Sequence, residues 1–189
     1  MIACDFLTVE TIRLQTLYAL FFIELGTRRV HRAGCTSHPT SAWVTQQARN
    51  LAWGLQDGDR KLPIRFLIHD RDTKFTSSFN TVFAAEGIET ILTPYRSPKA
   101  NAYAERWVRT VREECLDNIL IMGEGHLKRV LSEYIDYYNQ RRPHQGIGQR
   151  IPTPLAEERV TAQGPVCRRD VLGGIVHDYY HYPVDTNAA

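Results

Sequence analysis

A chain of 189 residues with 43% hydrophobic and 10% aromatic content can bury a real core, and its length suits one domain with a tail better than two domains. Its formal net charge is only +2, so a polyanionic partner cannot be argued from the whole-chain balance and any such case rests on local patches. The longest apolar run, residues 17–23, is far below the ~20 residues a membrane span requires, and no signal peptide precedes it. Cys4, Cys35, Cys115 and Cys167 are too scattered for a zinc site or a disulfide framework, so reduced thiols in a cytoplasmic protein are the expectation.

In chain order, residues 2–9 read as a strand. The apolar run at 17–25 turns at Gly26-Thr27 into residues 29–33, a hairpin that makes three successive strands. From Ser41 the period changes. Trp43, Val44, Gln47, Ala48, Leu51, Ala52 and Leu55 fall on one helical stripe, with Pro39 ahead of it and Thr40 or Ser41 as cap. Residues 54–63 form a polar connector rich in Gly and Asp, after which residues 64–68 read as a fully buried strand ending just before Asp70. Thr76 then caps a short helix carrying Phe79, Val82 and Phe83. Gly87 ends that helix and residues 88–92 give a fifth strand, so the order is βββαβαβ.

The next helix begins with Ser97 as cap and Pro98 in the first turn, where a missing N–H costs nothing, and should run towards Ile121. Ala104, Val108, Val111, Cys115 and Ile119 make its apolar stripe, while Asn101, Glu105, Arg109 and Arg112 share another face. From Tyr95 to Arg112 the cations Arg96, Lys99, Arg106, Arg109 and Arg112 face one carboxylate, Glu105, which makes a local basic patch. A further helix over about residues 124–140 carries Leu127, Val130, Leu131, Tyr134, Ile135 and Tyr138, and Pro143 stops it. Beyond residue 151 the chain is less regular, with RRDVLGGIVHDYYHY suited to a short docked strand or helix.

Three carboxylates carry the chemical interest: Asp5 in the first strand, Asp70 at the carboxyl end of a strand, where open α/β sheets place their ligands, and Glu105 inside the basic helix. Together they can hold divalent metal, and metal beside positive charge points to chemistry on nucleic-acid phosphates. Each also has a plainer reading. Asp5 could be a solvated chain end, Asp70 or its neighbour Asp72 could cap a turn, and Glu105 could form a surface ion pair with Arg109. His69 and His144 are read as hydrogen-bonded neighbours outside any metal shell.

Taken together, HDRDTKF, TPYRSPKANAYAER and YYNQRRPHQGIG resemble the catalytic core of DDE integrases and insertion-sequence transposases of the retroviral-integrase type. The resemblance spans roughly residues 2–154 and implies an α/β, ribonuclease H-like fold, a five-stranded mixed sheet flanked by helices. It divides the chain into a catalytic core at 1–150 and a partly irregular C-terminal tail at 151–189. The HD-R-x-T-K-F segment matches the family's second aspartate at Asp70, SPKANAYAER places its glutamate on Glu105, and CDFLTVET puts the first aspartate on Asp5.

The implied chemistry is in-line displacement at a phosphodiester, assisted by two Mg²⁺ or Mn²⁺ ions roughly 3.5–4 Å apart. Asp5 is expected to bridge the ions, with Asp70 and Glu105 completing the two sides. Tyr95, Arg96, Lys99, Asn101, Arg106, Arg109 and Arg112 are the expected DNA contacts, with Arg106 off the Glu105 edge.

The implied partners are DNA, as element ends and target, and further copies of the chain, because two ends must be held at once; the expected location is the nucleoid. The resemblance also implies a helix-turn-helix reader ahead of the core. With Asp5 four residues after Met1, the chain reads as a core without that reader, a remnant or an internal-start product. Asp72 stands where many relatives have glycine, and the tail is short for an end-binding domain. Three functions follow: 3′-end nicking with strand transfer, metal-dependent nuclease activity without joining, or an inactive fragment that binds DNA or a partner.

Overall fold

Along the first strand, β1 (Ile2–Glu10), Ile2, Cys4 and Phe6 face one side of the sheet while Ala3, Leu7 and Val9 face the other, so both faces need cover. A computed structural model describes residues 1–56, 64–93, 101–153 and 164–182 and shows how that cover is supplied. β1 pairs antiparallel with β2 (Thr16–Glu24), and β2 pairs antiparallel with β3 (Val30–Thr36), the latter with a bulge at Leu20/Phe21. β4 (Phe66–His69) and β5 (Glu89–Leu92) add in parallel, giving the order β3-β2-β1-β4-β5.

α1 (Ser41–Gln56) and α2 (Ser77–Ala85) carry the two parallel crossovers and cover one face. The Oγ1 of Thr40 accepts the Trp43 N–H at 3.2 Å, which makes Thr40 the cap of α1. Gly87, at φ 69°, turns the chain from α2 into β5, a left-handed conformation that glycine adopts freely. The other face is covered by α3 (Ala102–Glu114) and α4 (Glu124–Gln140), and Trp107 of α3 stacks on Phe21 with ring centroids 4.2 Å apart. All six apolar residues expected to face inward from α4 are buried. No helix among the described residues is long and apolar enough to cross a membrane.

Two expectations are corrected. β4 is not buried throughout: Leu67 and His69 are buried against the α1/α2 side, but Phe66 and Ile68 alternate to the other face and are half-buried, Ile68 packing against the core on the α3/α4 side. α3 does not continue towards Ile121. It stops at Glu114, and a 3-10 turn over Leu116–Asn118 follows. Cys115, Leu116 and Ile121 are all buried, and one straight helix cannot aim them all at the core, so the chain bends at Cys115. The helix is also rolled relative to the expected stripe, with Trp107 fully inside and Val108 only partly so.

The last turns of α4 and the residues just after it hold the fold together. Asn139 forms two hydrogen bonds with Val30 of β3, accepting its N–H at Oδ1 and donating from Nδ2 to its carbonyl, each at 2.8 Å. Arg142 donates from Nε and Nη2 to Glu114 of α3, and Tyr134 donates to the same carboxylate at 2.7 Å. The YYNQRRPH motif thus ties α4 to the sheet edge and to α3. In the tail, β6 (Val166–Val171) and β7 (Val176–His181) form an antiparallel hairpin. Val171 and Leu172 join the α3/α4 core, and the Leu172 N–H donates to Glu133 of α4 at 2.6 Å.

Candidate active site

The parallel pairing of β1 and β4 matches Ile2 with Leu67 and Ala3 with Ile68, and the same register carried two residues further sets Asp70 beside Asp5. Asp5 shares a face with Ala3 and Leu7, the face that α3 covers, so the first turn of α3 lies over it. The consequence is electrical. Partial burial pushes the Asp5 carboxyl up to about 6; the Phe6 N–H, 2.7 Å from Oδ1, works against that rise, while Asp70, Glu105 and Asp72 add to it. Three residues remote in sequence from Asp5 are therefore within electrostatic reach of it.

The second oxygen of Asp5 is also held. Nδ2 of Asn101, the residue just before α3, donates to Asp5 Oδ2 at 3.1 Å. Asn101 is 7% exposed, and among the described residues its Oδ1 has no hydrogen-bond partner. A residue expected to touch DNA is thus seated against the first carboxylate.

Asp72, the rival to Asp70, is engaged elsewhere: against the upward push of partial burial, the Lys74 ammonium at 2.7 Å and the Lys74 N–H at 2.9 Å hold its carboxyl below the usual range. Asp70 instead accepts the Asp72 N–H at 3.1 Å, which fixes the turn. His69 is buried, with Nδ1 at the Asp70 carbonyl and Nε2 3.2 Å from Asn80 Oδ1; His144 is buried with Nε2 3.1 Å from the Tyr138 carbonyl. Both are neighbours bonded into the fold, as expected.

The basic residues divide between the two flanks of α3. Arg109 is exposed on the Glu105 edge, and among the described residues no ion pair joins it to Glu105. Arg112 donates from Nη2 to the Thr8 carbonyl at 2.6 Å, which clamps α3 to β1. Arg106 lies on the opposite flank, where it helps line a cavity with Arg28 and Trp107. Arg28 and Trp107 carried no sequence signal of a site, because the first lies in a hairpin turn and the second reads as core. Tyr95, Arg96 and Lys99, with the expected helix start at Ser97 and Pro98, lie outside the described residues.

The donor set suits a hard divalent cation in kind: a carboxyl at Asp5 that Asp70 and Glu105 repel, a repulsion a cation would relieve, next to an amide oxygen with no partner among the described residues. Among the described residues, no three of His, Cys, Asp and Glu stand close enough together to form a ready-made ligand set.

The sequence model of the family described as integrase core domain matches residues 86–152. An uncharacterized protein of insertion element IS407 from Burkholderia multivorans is 29% identical over 105 residues, 54% of this chain and 38% of that protein. One from insertion element IS476 of Xanthomonas euvesicatoria is 33% identical over 95 residues, covering 50% and 28%. The transposase InsD of insertion element IS2A/D/F/H/I/K from Escherichia coli is 31% identical over 74 residues, covering 39% and 24%. The matched stretches span less than two fifths of these relatives' own lengths.

Among solved structures, the catalytic core domain of BIV integrase superposes with a TM-score of 0.52 at 14% identity, over 79% of this chain and 90% of that one. A chain of the simian T-cell lymphotropic virus intasome in complex with PP2A regulatory subunit B56 gamma gives 0.61 at 11% identity, over 96% and 66%. These likenesses show the fold, which is ribonuclease H-like.

Proposed function

We propose that this chain, whose residues 86–152 match the integrase core domain model and whose fold is ribonuclease H-like, is a DNA transposase core that nicks 3′ ends and transfers strands. The observation that carries the reading is the convergence on Asp5: β1 and β4 pair in parallel so that Asp70 follows the strand beside it, and Asn101, at the start of the helix that carries Glu105, bonds its Oδ2 at 3.1 Å. Like charges within reach of a partly buried carboxyl disfavour its ionised form, so the arrangement costs stability in the absence of a cation.

When bound by Asp5, Asp70 and Glu105, Mg²⁺ or Mn²⁺ ions, expected as a pair, would supply the charge that activates an attacking oxygen and stabilises a leaving one. The chain's own residues do the positioning. The Phe6 N–H and the Asn101 amide orient the two oxygens of Asp5, and the Asp72 N–H orients Asp70. Arg109, exposed beside Glu105, is placed in this reading on a phosphate flanking the scissile bond, as are Tyr95, Arg96 and Lys99. Arg112 serves through the clamp on Thr8 that keeps Glu105 over the sheet. The reaction is first hydrolysis, which leaves a 3′-hydroxyl, and then attack of that hydroxyl on a target phosphodiester with departure of a target 3′-oxygen. The partners are DNA and a second copy of the chain.

The test is incubation with a pre-nicked DNA end, a target plasmid and Mg²⁺ or Mn²⁺, scored for joined product. Joining by the wild type and its loss in Asp5→Asn, Asp70→Asn and Glu105→Gln is the expected result. Cleavage without joining would favour a nuclease instead, and DNA binding with no metal-dependent cleavage would favour an inactive binding fragment.

A further inference from the structure

We infer that the cavity on the flank of α3 opposite Glu105 is a phosphate-group site that takes a backbone phosphate of DNA. It measures about 280 Å³ and lies between α3, the end of α4 and the turn joining β2 to β3. Its charged lining residues are Arg28, Arg106 and Arg142, and no carboxylate lines it among the described residues. Arg142 is neutralised from outside the cavity by Glu114. Arg28 and Arg106 have no ion-pair partner among the described residues, so two guanidinium charges meet there without an anion.

Arg28 is set in place before any ligand arrives. Its guanidinium lies over the Tyr103 ring at 3.9 Å, Nη1 donates to the Leu25 carbonyl, and Gly146 lies beside it, where a Cβ would stand at an ordinary contact distance of 3.5 Å from Nε and Nη2. The second mark of a ligand is Trp107. It is one of the residues lining the cavity and is 2% exposed, and among the described residues its buried Nε1–H has no hydrogen-bond partner. A buried donor almost always has an acceptor. Here the surrounding charged groups are donors only, and the complement they lack is a group with several acceptor oxygens and negative charge, which guanidinium forks bind well.

A phosphate of DNA is the fitting source because Arg106 follows Glu105 directly. The two flanks of a helix are about 10–12 Å apart, the rise of roughly three nucleotides at about 3.4 Å each. This choice of source rests on the proposed DNA chemistry, whereas the anion site itself does not.

The experiment follows the Trp107 indole N–H resonance, identified with Trp107→Phe, while the full chain is titrated with inorganic phosphate or with a short DNA duplex; DNA affinity is read in parallel by fluorescence anisotropy. The expected result is a saturable Trp107 shift with both, with Arg106→Gln and Arg28→Gln each weakening DNA binding about tenfold and abolishing the shift, while Asp5→Asn keeps it. If a variant's spectrum shows misfolding, Arg28→Lys, which keeps the charge but loses the fork, serves with a partial loss. DNA binding with an unmoved Trp107 and unchanged affinity in both variants would overturn the site and leave the proposed function standing. A shift with phosphate but no DNA binding would overturn the DNA source together with the proposed function. No shift with either titrant would overturn the inference.

Discussion

Asn101 and Asp5, 96 positions apart, meet through one hydrogen bond of 3.1 Å between the amide nitrogen of the first and Oδ2 of the second. Since the other Asp5 oxygen is held by the Phe6 N–H, the carboxylate has one orientation, and Asn101 is half of what sets it. Asn101→Ala is expected to lower single-turnover strand transfer, or the affinity for Mg²⁺, by about 10–100-fold, the usual loss when the group orienting a metal-binding side chain is removed. Rates and Mg²⁺ dependence equal to those of the wild type would remove Asn101 from that role.

A pH dependence follows from Asp5. Its folded-state carboxyl is raised to about 6 by burial and by Asp70, Glu105 and Asp72, above the unfolded value of about 3.9. The native state therefore holds the extra proton, and the stability linked to it is present below about pH 4 and lost as pH rises through 6. In EDTA, Asp5→Asn should be more stable than the wild type at pH 8, by on the order of 2–3 kcal/mol, with the gap closing towards pH 4. Urea melts at pH 4, 6 and 8 measure it, and a gap that does not change with pH would refute the assignment.

The Glu114 carboxylate accepts from Arg142 and from the buried Tyr134 hydroxyl, and burial together with Glu114 raises the Tyr134 hydroxyl far above the ordinary range. Arg142→Ala leaves that carboxylate without its cation. Because both partners keep some solvent contact, the cost is expected at about 2 kcal/mol, below the 3–5 kcal/mol typical of a fully buried pair. The double variant Glu114→Gln/Arg142→Ala should recover part of the loss, and chemical denaturation of the wild type, Glu114→Gln, Arg142→Ala and the double variant gives the coupling directly.

Asn139 replaces a missing strand neighbour for Val30 by bonding both its N–H and its carbonyl. Asn139→Leu removes both bonds at once and is expected to cost about 1–3 kcal/mol. The change should appear locally as faster hydrogen exchange at the Val30 amide, and protection equal to the wild type would show that the contact contributes nothing.

Much of the architecture is readable from local pattern. α4 runs over Glu124–Gln140 with its six expected inward residues buried, because a 3.6-residue period over four turns leaves one way to bury the stripe. The β2/β3 hairpin and the α1 start at Thr40 are equally local, set by an apolar run, the turn at Gly26-Thr27 and a hydroxyl next to Pro39. The interruption of α3 at Cys115 is not, since it depends on Leu116 and Ile121 finding the core together.

The same division holds at the two sites. Residue types and spacing mark Asp70 and Glu105 as chemically suspect, yet their action on Asp5 exists only because β1 and β4 pair in parallel at one register and α3 crosses above them. Arg28 and Trp107 come together from a hairpin turn and a helix interior, with no pattern along the chain to link them. Local propensity is a property of a few neighbouring residues and so is written in their order. Shared burial, a shifted carboxyl and an indole N–H with no partner among the described residues arise between segments, and only their packing creates them.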